Sequence, residues 1–554
     1  MRKHWQISLL IIAGLFVLVL IMNLFRGDRY KYPDMPKPSV EETTDLSSKA
    51  ITISDDFNPK PNANRDGYTN YGDKEIIVGE DFKSNLPLVI IDTKGQEPER
   101  GVMWDNEKGY HVITDEDPYA YGDITVIDGK NGVNSPKDSP TVTSLCKLKI
   151  RGNSSGTYDK KQYLLKLIDD KGKSNKENIL GMGSESEWIL NVSFIDKSLI
   201  RNFLAYTTAS QIMPYTPDAK YCEVLFKDEN GYKYEGVYMM IEKIGVSKNR
   251  VDLPSYSENT SITPALLRRD RYNINDIMLE NYGTVNGLTY GYIGIEYPDK
   301  DIISDKGIEN IQNQIDRFEK ALYSEDWSEF EKYRQYIDMD SFVDYFIINE
   351  FFLNYDAGYN STYMYMDYSG KITMGPVWDF DQGIDNDPRN SANLNTTAFQ
   401  SAPWFDKMLK DPIFTKKIIE RYEELRKSIL SDESIEKFVN DVVEYLGPAI
   451  DRDWARWGYY YVYGNYLSTG LDSTENRNTR TYEEEIDRIL NVLSKHGDWL
   501  YNRMDSLYQF KAMSLEDTES LINATRGNYG SHLAVVFVAV FVISIKLVLR
   551  YESE

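Results

Sequence analysis

The stretch "NYDAGYNSTYMYMDYSGKITMGPVWDFD", Asn354 to Asp381, decides the fold that we predict for this chain. It follows an apolar helical pattern and contains two short β-type runs joined by a tight turn at "GK". A hairpin of this kind reverses the chain, so we expect Asp379 at its end to lie near Asp356 and Asn360 at its start. The clustered acids fit three interpretations: a metal site, a catalytic pair, or an acidic turn on an acidic protein.

The residue types in this cluster favour a hard divalent cation. Oxygen ligands from Asp and Asn suit Mg²⁺ or Mn²⁺, which would also hold substrate phosphates. The chain has only four histidines, so zinc sites and histidine-based triads are poorly supplied. Asp381 is a candidate further ligand, whereas Asp385 and Asp387 are predicted to be surface charge. The acidic-turn interpretation stays open at this point.

A second stretch, "RGNSSGTYDKKQYLLKL" from Arg151 to Leu167, supplies residue types that bind phosphates. A strand leads into a loop of Gly, Asn and Ser, and a second strand carries Lys166. Small loop residues let the backbone approach phosphates closely, and a strand lysine adds a point charge. Neither a Walker-A spacing nor a G-x-G-x-x-G motif is present, so a solvent-facing Lys166 is the competing interpretation.

Strand patterns precede helical patterns along the chain, which predicts an α+β fold with a β-rich N-terminal part and a helical C-terminal part. Strand runs occur in "LPLVIIDTKG" and "DITVIDG", and in "YCEVLFKD" and "YEGVYMMIEK", which flank the hairpin turn "ENGY". Helical periodicity dominates "MDSFVDYFIINEFFLN", "FTKKIIERYEELRKSIL" and "EEEIDRILNVLSKHGDWLYNRM". We assign a β-rich segment to residues 81–142 and the main two-lobed domain to residues 143–510.

The order of these parts matches that of protein-kinase-like phosphotransferases. Such enzymes use a strand lysine, a catalytic Asp, a metal-binding Asn a few residues later, and a metal-binding Asp before a Phe. Here Asn360 follows Asp356 at a spacing one residue shorter than in ordinary protein kinases. The tripeptide Asp379-Phe380-Asp381 stands where Asp-Phe-Gly would.

With these residues in place, the chain resembles the spore-coat-protein-H-type kinases (CotH kinases), a divergent branch of the protein-kinase-like fold. The resemblance covers about residues 145–500. It rests on six blocks in the family's order: "RGNSS" (151–155), "KKQYLLKL" (160–167), "WILNVSFIDKSLIRNFLAY" (188–206), "EGVYMMIEKI" (235–244), "SFVDYFIINEFFLNYD" (341–356) and "GPVWDFD" (375–381).

The resemblance implies transfer of the ATP γ-phosphate to Ser or Thr of a protein, dependent on Mg²⁺ or Mn²⁺. The implied site residues are, as catalytic residue, Asp356; as metal ligands, Asp379, Asn360 and Asp381; and as nucleotide-binding residues, Lys166, Arg151 and Glu242. Arg201, which lies in "DKSLIRN", is either a structural ion-pair partner of Asp196 or a further site residue.

Two other classes of function remain open. A non-catalytic envelope or spore-coat assembly protein on a kinase-like scaffold would suit membrane anchors and a long tether. Such a scaffold, however, needs none of the retained polar residues Asp356, Asn360 and Asp379. A glycosidase would use Asp356 and Asp379 as a pair flanking a sugar, and a cation shared between them would prevent that role.

The charge and size of the chain limit its partners. The sequence has 87 acidic and 63 basic residues, a formal charge of −24, which argues against nonspecific nucleic-acid binding. Its 554 residues predict more than one folded unit. Cys146 and Cys222 are predicted to be partly buried thiols, with one disulfide as the alternative.

The two ends carry apolar runs that predict membrane anchoring. Residues 7–25 are uncharged and long enough for a bilayer of about 30 Å, and residues 533–549 form a second candidate transmembrane helix. We expect the main domain to lie outside the cytoplasm at the cell membrane, with a protein substrate in the envelope or spore coat. The remaining segments are predicted to be two short cytoplasmic ends (1–6 and 550–554), a flexible tether (26–80) and a linker (511–532).

Overall fold

The structure is a computed structural model that describes residues 75–129, 132–152, 155–192, 194–389, 391–464, 467 and 477–511. Across these ranges, no helix combines the length and the apolar character that crossing a membrane requires. Both predicted spans, and most of the predicted tether and linker, lie outside the described residues. The end of the predicted tether differs from the prediction, because Ile76–Val78 form a strand.

Strands dominate the first part of the described chain and helices the second, which confirms the α+β prediction. The strands are β1 Ile76–Val78, β2 Leu88–Asp92, β3 Val102–Asp105, β4 Tyr110–Ile113, β5 Ala120–Ile127, β6 Val142–Arg151, β7 Gln162–Ile168, β8 Glu177–Asn178, β9 Ser184–Glu185, β10 Glu187–Asn191, β11 Ala219–Asp228, β12 Gly231–Glu242, β13 Ala265–Asp270, β14 Ile277–Met278, β15 Tyr292–Tyr297, β16 Thr362–Met366 and β17 Thr373–Met374. The helices are α1 Arg201–Ala209, α2 Tyr282–Val285, α3 Asp305–Leu322, α4 Trp327–Phe330, α5 Met339–Phe351, α6 Phe405–Met408, α7 Pro412–Arg426, α8 Asp432–Leu446, α9 Pro448–Tyr459 and α10 Tyr482–Arg503.

The N-terminal sheet closes on itself. Its strand order is β12-β10-β7-β6-β5-β2-β11, and β11 pairs again with β12, while β1 adds to the outer edge of β12. The neighbouring strands pair antiparallel, except that β2 and β11 run parallel. The predicted hairpin at "ENGY" is confirmed, since Asp228 pairs with Gly231.

Side-chain alternation fills the inside of this closed sheet and leaves polar groups outside. Successive side chains of a strand point to opposite faces, so "LKIR" in β6 sends Leu148 inward and Lys149 and Arg151 outward. The inward residues form one buried core that includes Val89, Val126, Cys146, Leu148, Leu165, Trp188, Leu190, Cys222 and Met240. The two cysteines in this core are free thiols, as predicted.

A second, five-stranded sheet contains the hairpin predicted from the opening stretch. Its order is β14-β15-β13-β16-β17. β16 and β17 run antiparallel, with Met364 opposite Met374 and Tyr365 opposite Thr373. The hairpin follows α5, which is buried around most of its surface and whose sequence is mostly apolar. The N-cap residue of α5 is Asp338, whose side chain accepts a hydrogen bond from the Ser341 N–H.

Helices complete the C-terminal part. α5, α7 and α10 correspond to the helices predicted from periodicity, and α10 begins with a capping box between Thr481 and Glu484. The aromatic segment around α9 packs into the interior, because Trp454, Trp457 and Tyr461 are buried.

Candidate active site

The loop that follows α5 places Asp356 beside Asn360. The Asn360 side chain donates a hydrogen bond from Nδ2 to Asp356 Oδ1 over 2.9 Å, and its backbone N–H donates to the Asp356 carbonyl oxygen, also over 2.9 Å. Between them, Gly358 has a φ of 83°, a left-handed conformation that suits glycine. Asp356 is partly exposed and Asn360 is buried, so the loop offers a carboxylate to solvent and keeps an amide behind it.

The β16–β17 hairpin returns the chain to this loop, as the sequence predicted. Ser361 Oγ donates to Asp379 Oδ2 over 3.1 Å, and Asn354 Nδ2 donates to the Asp379 carbonyl oxygen over 3.2 Å. The backbone N–H of Asp379 donates to the Tyr206 hydroxyl oxygen over 3.1 Å. Asp379 itself has a φ of 67°, an unusual conformation for a residue other than glycine.

The acids of this site repel one another. Burial, followed by the charge of Asp356, raises the pKa of Asp379 to about 6. Burial and then the charge of Asp379 raise the pKa of Asp381 well above its usual value. Arg151 and the Ser361 hydroxyl act in the opposite direction on Asp379. The arrangement therefore concentrates negative charge that a bound cation would neutralise.

The donor set fits a magnesium or manganese ion that is shared with phosphates. Asn360 Oδ1 is buried and has no hydrogen-bond partner among the described residues, as expected for an oxygen kept for a ligand. The described residues contain no group of three or more His, Cys, Asp or Glu side chains that could hold a metal alone. Mg²⁺ usually takes one or two carboxylates and fills its shell with water and substrate phosphates.

Arg151 lies at the edge of this acidic cluster, on the closed sheet. Its guanidinium lies 5.5 Å from the centre of the Trp378 ring and donates to Gln162 Oε1 over 3.2 Å. Burial lowers the pKa of Arg151, and the charge of Asp379 partly offsets that effect. The structure therefore brings Arg151 to the metal-ligand candidates, as the predicted site requires.

Lys166 extends from the same outer face, but its partner was not foreseen. It forms an ion pair with Glu187, the residue directly opposite it on β10. Lys243 also pairs with Glu187, at 2.7 Å. Lys166 is thus not a solitary solvent-facing lysine. Sequence reasoning missed Glu187, although an acid opening the strand after "SES" was a readable signal.

Glu242 does not join Arg151 and Lys166. It lies opposite Trp188, a core residue, and therefore points to the inner face of the closed sheet. Burial raises the pKa of Glu242 to about 7, and its carboxylate accepts a hydrogen bond from the Asp218 N–H over 2.9 Å. The charged groups that act on Glu242 are Asp218, Arg250 and Glu185, and none of these belongs to the acidic cluster.

The prediction that Asp385 and Asp387 are surface charge is wrong. Both are buried: Asp385 pairs with Arg477 at 3.1 Å and Arg488 at 3.4 Å, and Asp387 pairs with Arg389 at 3.1 Å. They anchor the loop after Asp381, because buried carboxylates require such partners.

Arg201 belongs to the same structural network. It pairs with Asp196 at 2.6 Å and with Glu485 at 2.7 Å, and donates to the Gly383 carbonyl oxygen over 3.2 Å. Of the two interpretations of Arg201, the structural ion pair therefore describes it.

A small cavity opens beside the candidate catalytic carboxylate. Its volume is about 260 Å³, and its lining is Tyr355, Asp356, Gln382, Asp387 and Arg389. A cavity of this size next to Asp356 has room for the side chain of an acceptor residue.

The site thus combines a carboxylate–amide pair, a second carboxylate behind a hairpin and a basic outer sheet face, which are parts that kinase-like proteins use. Residues 148–500, well over half of the chain, match the family model of the CotH kinase protein. The chain therefore belongs to the CotH kinase family. A comparison with curated proteins finds no match. All seven predicted site residues lie within the matched range, although the match itself assigns no role to any of them.

Proposed function

We propose that this protein is a kinase that transfers the ATP γ-phosphoryl group to a Ser or Thr hydroxyl of an envelope or spore-surface protein, with a divalent cation. The observation that carries the proposal is the loop in which Asp356 and Asn360 are hydrogen-bonded beside Asp379, with Asn360 Oδ1 left without a partner among the described residues. Membership of the CotH kinase family supports this reading.

Asp356 acts on the acceptor hydroxyl. Asn360 Nδ2 donates to Asp356 Oδ1, which fixes the carboxylate at the edge of the cavity that would take the acceptor residue. A carboxylate held in this way orients the nucleophile and accepts its proton as the oxygen attacks phosphorus. Partial exposure of Asp356 keeps it reachable for a polypeptide acceptor.

Asp379 and Asn360 are the proposed ligands of the cation, with Asp381 behind them. A bound Mg²⁺ or Mn²⁺ with ATP would supply a phosphoryl group whose charge is already partly neutralised. The raised pKa of Asp379 means that this carboxyl holds a proton more readily than usual before the cation arrives. Cation binding is therefore expected to release protons near pH 6.

The nucleotide phosphates are assigned to the outer face of the closed sheet. Arg151 lies close enough to Asp379 for each to act on the other's pKa, and Lys166 is held in place by Glu187. A lysine fixed by a carboxylate is the arrangement that kinases use for phosphates. Glu242, on the inner face, is left out of the proposed site.

The place of action is proposed from the sequence. Residues 7–25 and 533–549 would anchor the chain in the cell membrane and hold the main domain outside the cytoplasm. Protease treatment of intact cells tests this topology: cleavage within residues 75–511 is expected, and complete protection would contradict it.

Labelled ATP tests the activity on the full purified chain. With Mg²⁺ or Mn²⁺, the wild type should transfer phosphate to itself or to Ser/Thr peptides, and Asp356→Ala and Asp379→Ala should reduce the rate by about 10²–10⁴-fold. Asp340→Ala is the control, because Asp340 is exposed on α5 and pairs only with Lys417 in the described structure.

Two outcomes would contradict the proposal. Full activity in both site variants would remove the assigned roles of these acids. A wild-type chain that neither binds nucleotide nor transfers phosphate would instead favour a non-catalytic assembly protein.

A further inference from the structure

The outer face of the closed sheet carries a line of cations that begins at the acidic cluster. The register of β6 and β7 places Arg151 opposite Gln162, Lys149 opposite Leu164 and Lys147 opposite Lys166. The three basic side chains of β6 therefore leave the same face of the sheet. Each is two residues from the next, which is about 6.6 Å along the strand. Of the three, Arg151 is the one whose charge lowers the pKa of Asp379, and it lies against Trp378.

Lys149 occupies the middle of this line without a carboxylate partner. Lys166 and Lys243 both pair with Glu187, whereas Lys149 forms no ion pair with any residue that the structure describes. Its ammonium lies 5.2 Å from the centre of the Tyr119 ring. Burial lowers the pKa of Lys149 and the nearby charge of Lys166 lowers it further, whereas the charge of Glu187 acts in the opposite direction.

A bound anion would stabilise the Lys149 ammonium more directly than the Tyr119 ring and the charge of Glu187 do. A partly desolvated ammonium among like charges loses hydration and gains repulsion. The excess of positive charge is also local, because the whole chain has a formal charge of −24. Arg151 likewise forms no ion pair in the described structure: its side-chain hydrogen bond goes to the neutral Gln162, although Asp379 lies close enough to act on its pKa.

We propose that Lys149 binds the phosphate chain of the nucleoside triphosphate, between Arg151 and the Lys166–Glu187 pair. This inference rests on the proposed function and adds a specificity residue to it. A chain of linked phosphates that begins at the Asp379 end of the site meets Arg151 first and Lys149 next. Lys149 therefore selects for the number of linked phosphates rather than for the base.

Calorimetric titration of the full chain with four probes tests this role. The probes are ATP, ADP, AMP and inorganic triphosphate, each with Mg²⁺, and the variants are Lys149→Gln and the control Lys147→Gln, one step farther from the acids. Lys149→Gln should weaken ATP and triphosphate binding about 10- to 100-fold and leave AMP within about twofold, since a charge-assisted phosphate contact is lost. The control should change ATP binding by less than about threefold. Raising the salt concentration should reduce the difference in ATP affinity between the wild type and Lys149→Gln.

Thermal unfolding without ligand separates a binding role from a structural one. Removal of an unpaired, desolvated ammonium should leave Tm unchanged or raise it. Lys149→Arg keeps the charge and should retain most of the triphosphate affinity. The proposal is overturned if Lys149→Gln binds ATP and triphosphate like the wild type. It is also overturned if Lys149→Gln and Lys149→Arg both have a lower Tm and a lower affinity for triphosphate to the same extent.

The probes also separate this inference from the proposed function. If the wild type binds triphosphate in a Lys149-dependent way but transfers no phosphate from ATP, the anion site stands and the kinase assignment fails. If the wild type binds neither ATP nor triphosphate, both are refuted.

Discussion

The Asp379 carboxylate is expected to destabilise the ligand-free fold, and Asp379→Asn measures by how much. The pKa of this carboxyl is raised from 3.8 to about 6. The pKa of Asp379 is therefore higher in the folded than in the unfolded protein. The contribution of this carboxyl to the free energy of unfolding is fully present below about pH 4 and is lost as the pH rises through about 6. Two pKa units correspond to about 3 kcal/mol at pH 8. Asparagine keeps the shape and an oxygen that can accept from Ser361 Oγ, so only the charge is removed.

Thermal unfolding in EDTA at pH 8 and pH 4 is the assay. At pH 8 the Asp379→Asn protein should be more stable by up to about 3 kcal/mol, or about 3 °C in Tm for a folded part of this size. At pH 4 the gain should fall below about 1 kcal/mol, because the carboxyl is then neutral in the folded protein. Mg²⁺ with ATP should raise Tm of the wild type and not of the variant.

Asp385→Asn is the matched control in the same loop. Asp385 is buried and ion-paired with Arg477 and Arg488, so its neutralisation removes a carboxylate from both, although Arg488 keeps its pair with Glu485, and should cost about 1–3 kcal/mol at pH 8. The two variants are thus expected to change stability in opposite directions. If Asp379→Asn lowers Tm at pH 8 as Asp385→Asn does, then Asp379 is a structural anchor and the electrostatic reasoning is wrong.

Two further substitutions test the supports of the site. Glu187→Gln removes the carboxylate shared by Lys166 and Lys243, and should raise KM for ATP about tenfold with little change in Tm; an unchanged KM would exclude Lys166 from the phosphates. Asp453→Ala leaves the fully buried Lys160 ammonium without its ion pair, and should cost about 3–5 kcal/mol in chemical denaturation. The double variant with Lys160→Met should recover much of that loss, and no recovery would show that Lys160 is not the cause.

Local sequence patterns predicted those parts of the site whose positions are determined by residues close by in the sequence. Asp356 and Asn360 are four residues apart on one loop, and Asp379 follows a hairpin whose two strands and turn have ordinary signals. The outward direction of Lys166 likewise follows from alternation in β7. These features could be predicted because chain geometry over a few residues determines them.

Features that depend on distant pairings could not be predicted. Closure of the N-terminal sheet needs β2 to run parallel to β11, which lies more than a hundred residues later and has no local mark of that pairing. Asp385 is buried because Arg477 and Arg488 reach it from the far end of the described chain. An acidic loop and a buried ion-pair network therefore look alike in sequence, which explains the wrong surface assignment.

The opposite charges of the site are adjacent but do not neutralise one another. In the described structure Arg151 forms no ion pair with Asp379, although each affects the pKa of the other. Gln162 and the Trp378 ring hold the guanidinium on the sheet, while Ser361 holds the carboxylate on the hairpin. A direct ion pair would have to be broken before a phosphate or a cation could bind. Because neutral partners position both groups instead, their charges remain available to a ligand that carries both signs, as a metal–nucleotide complex does.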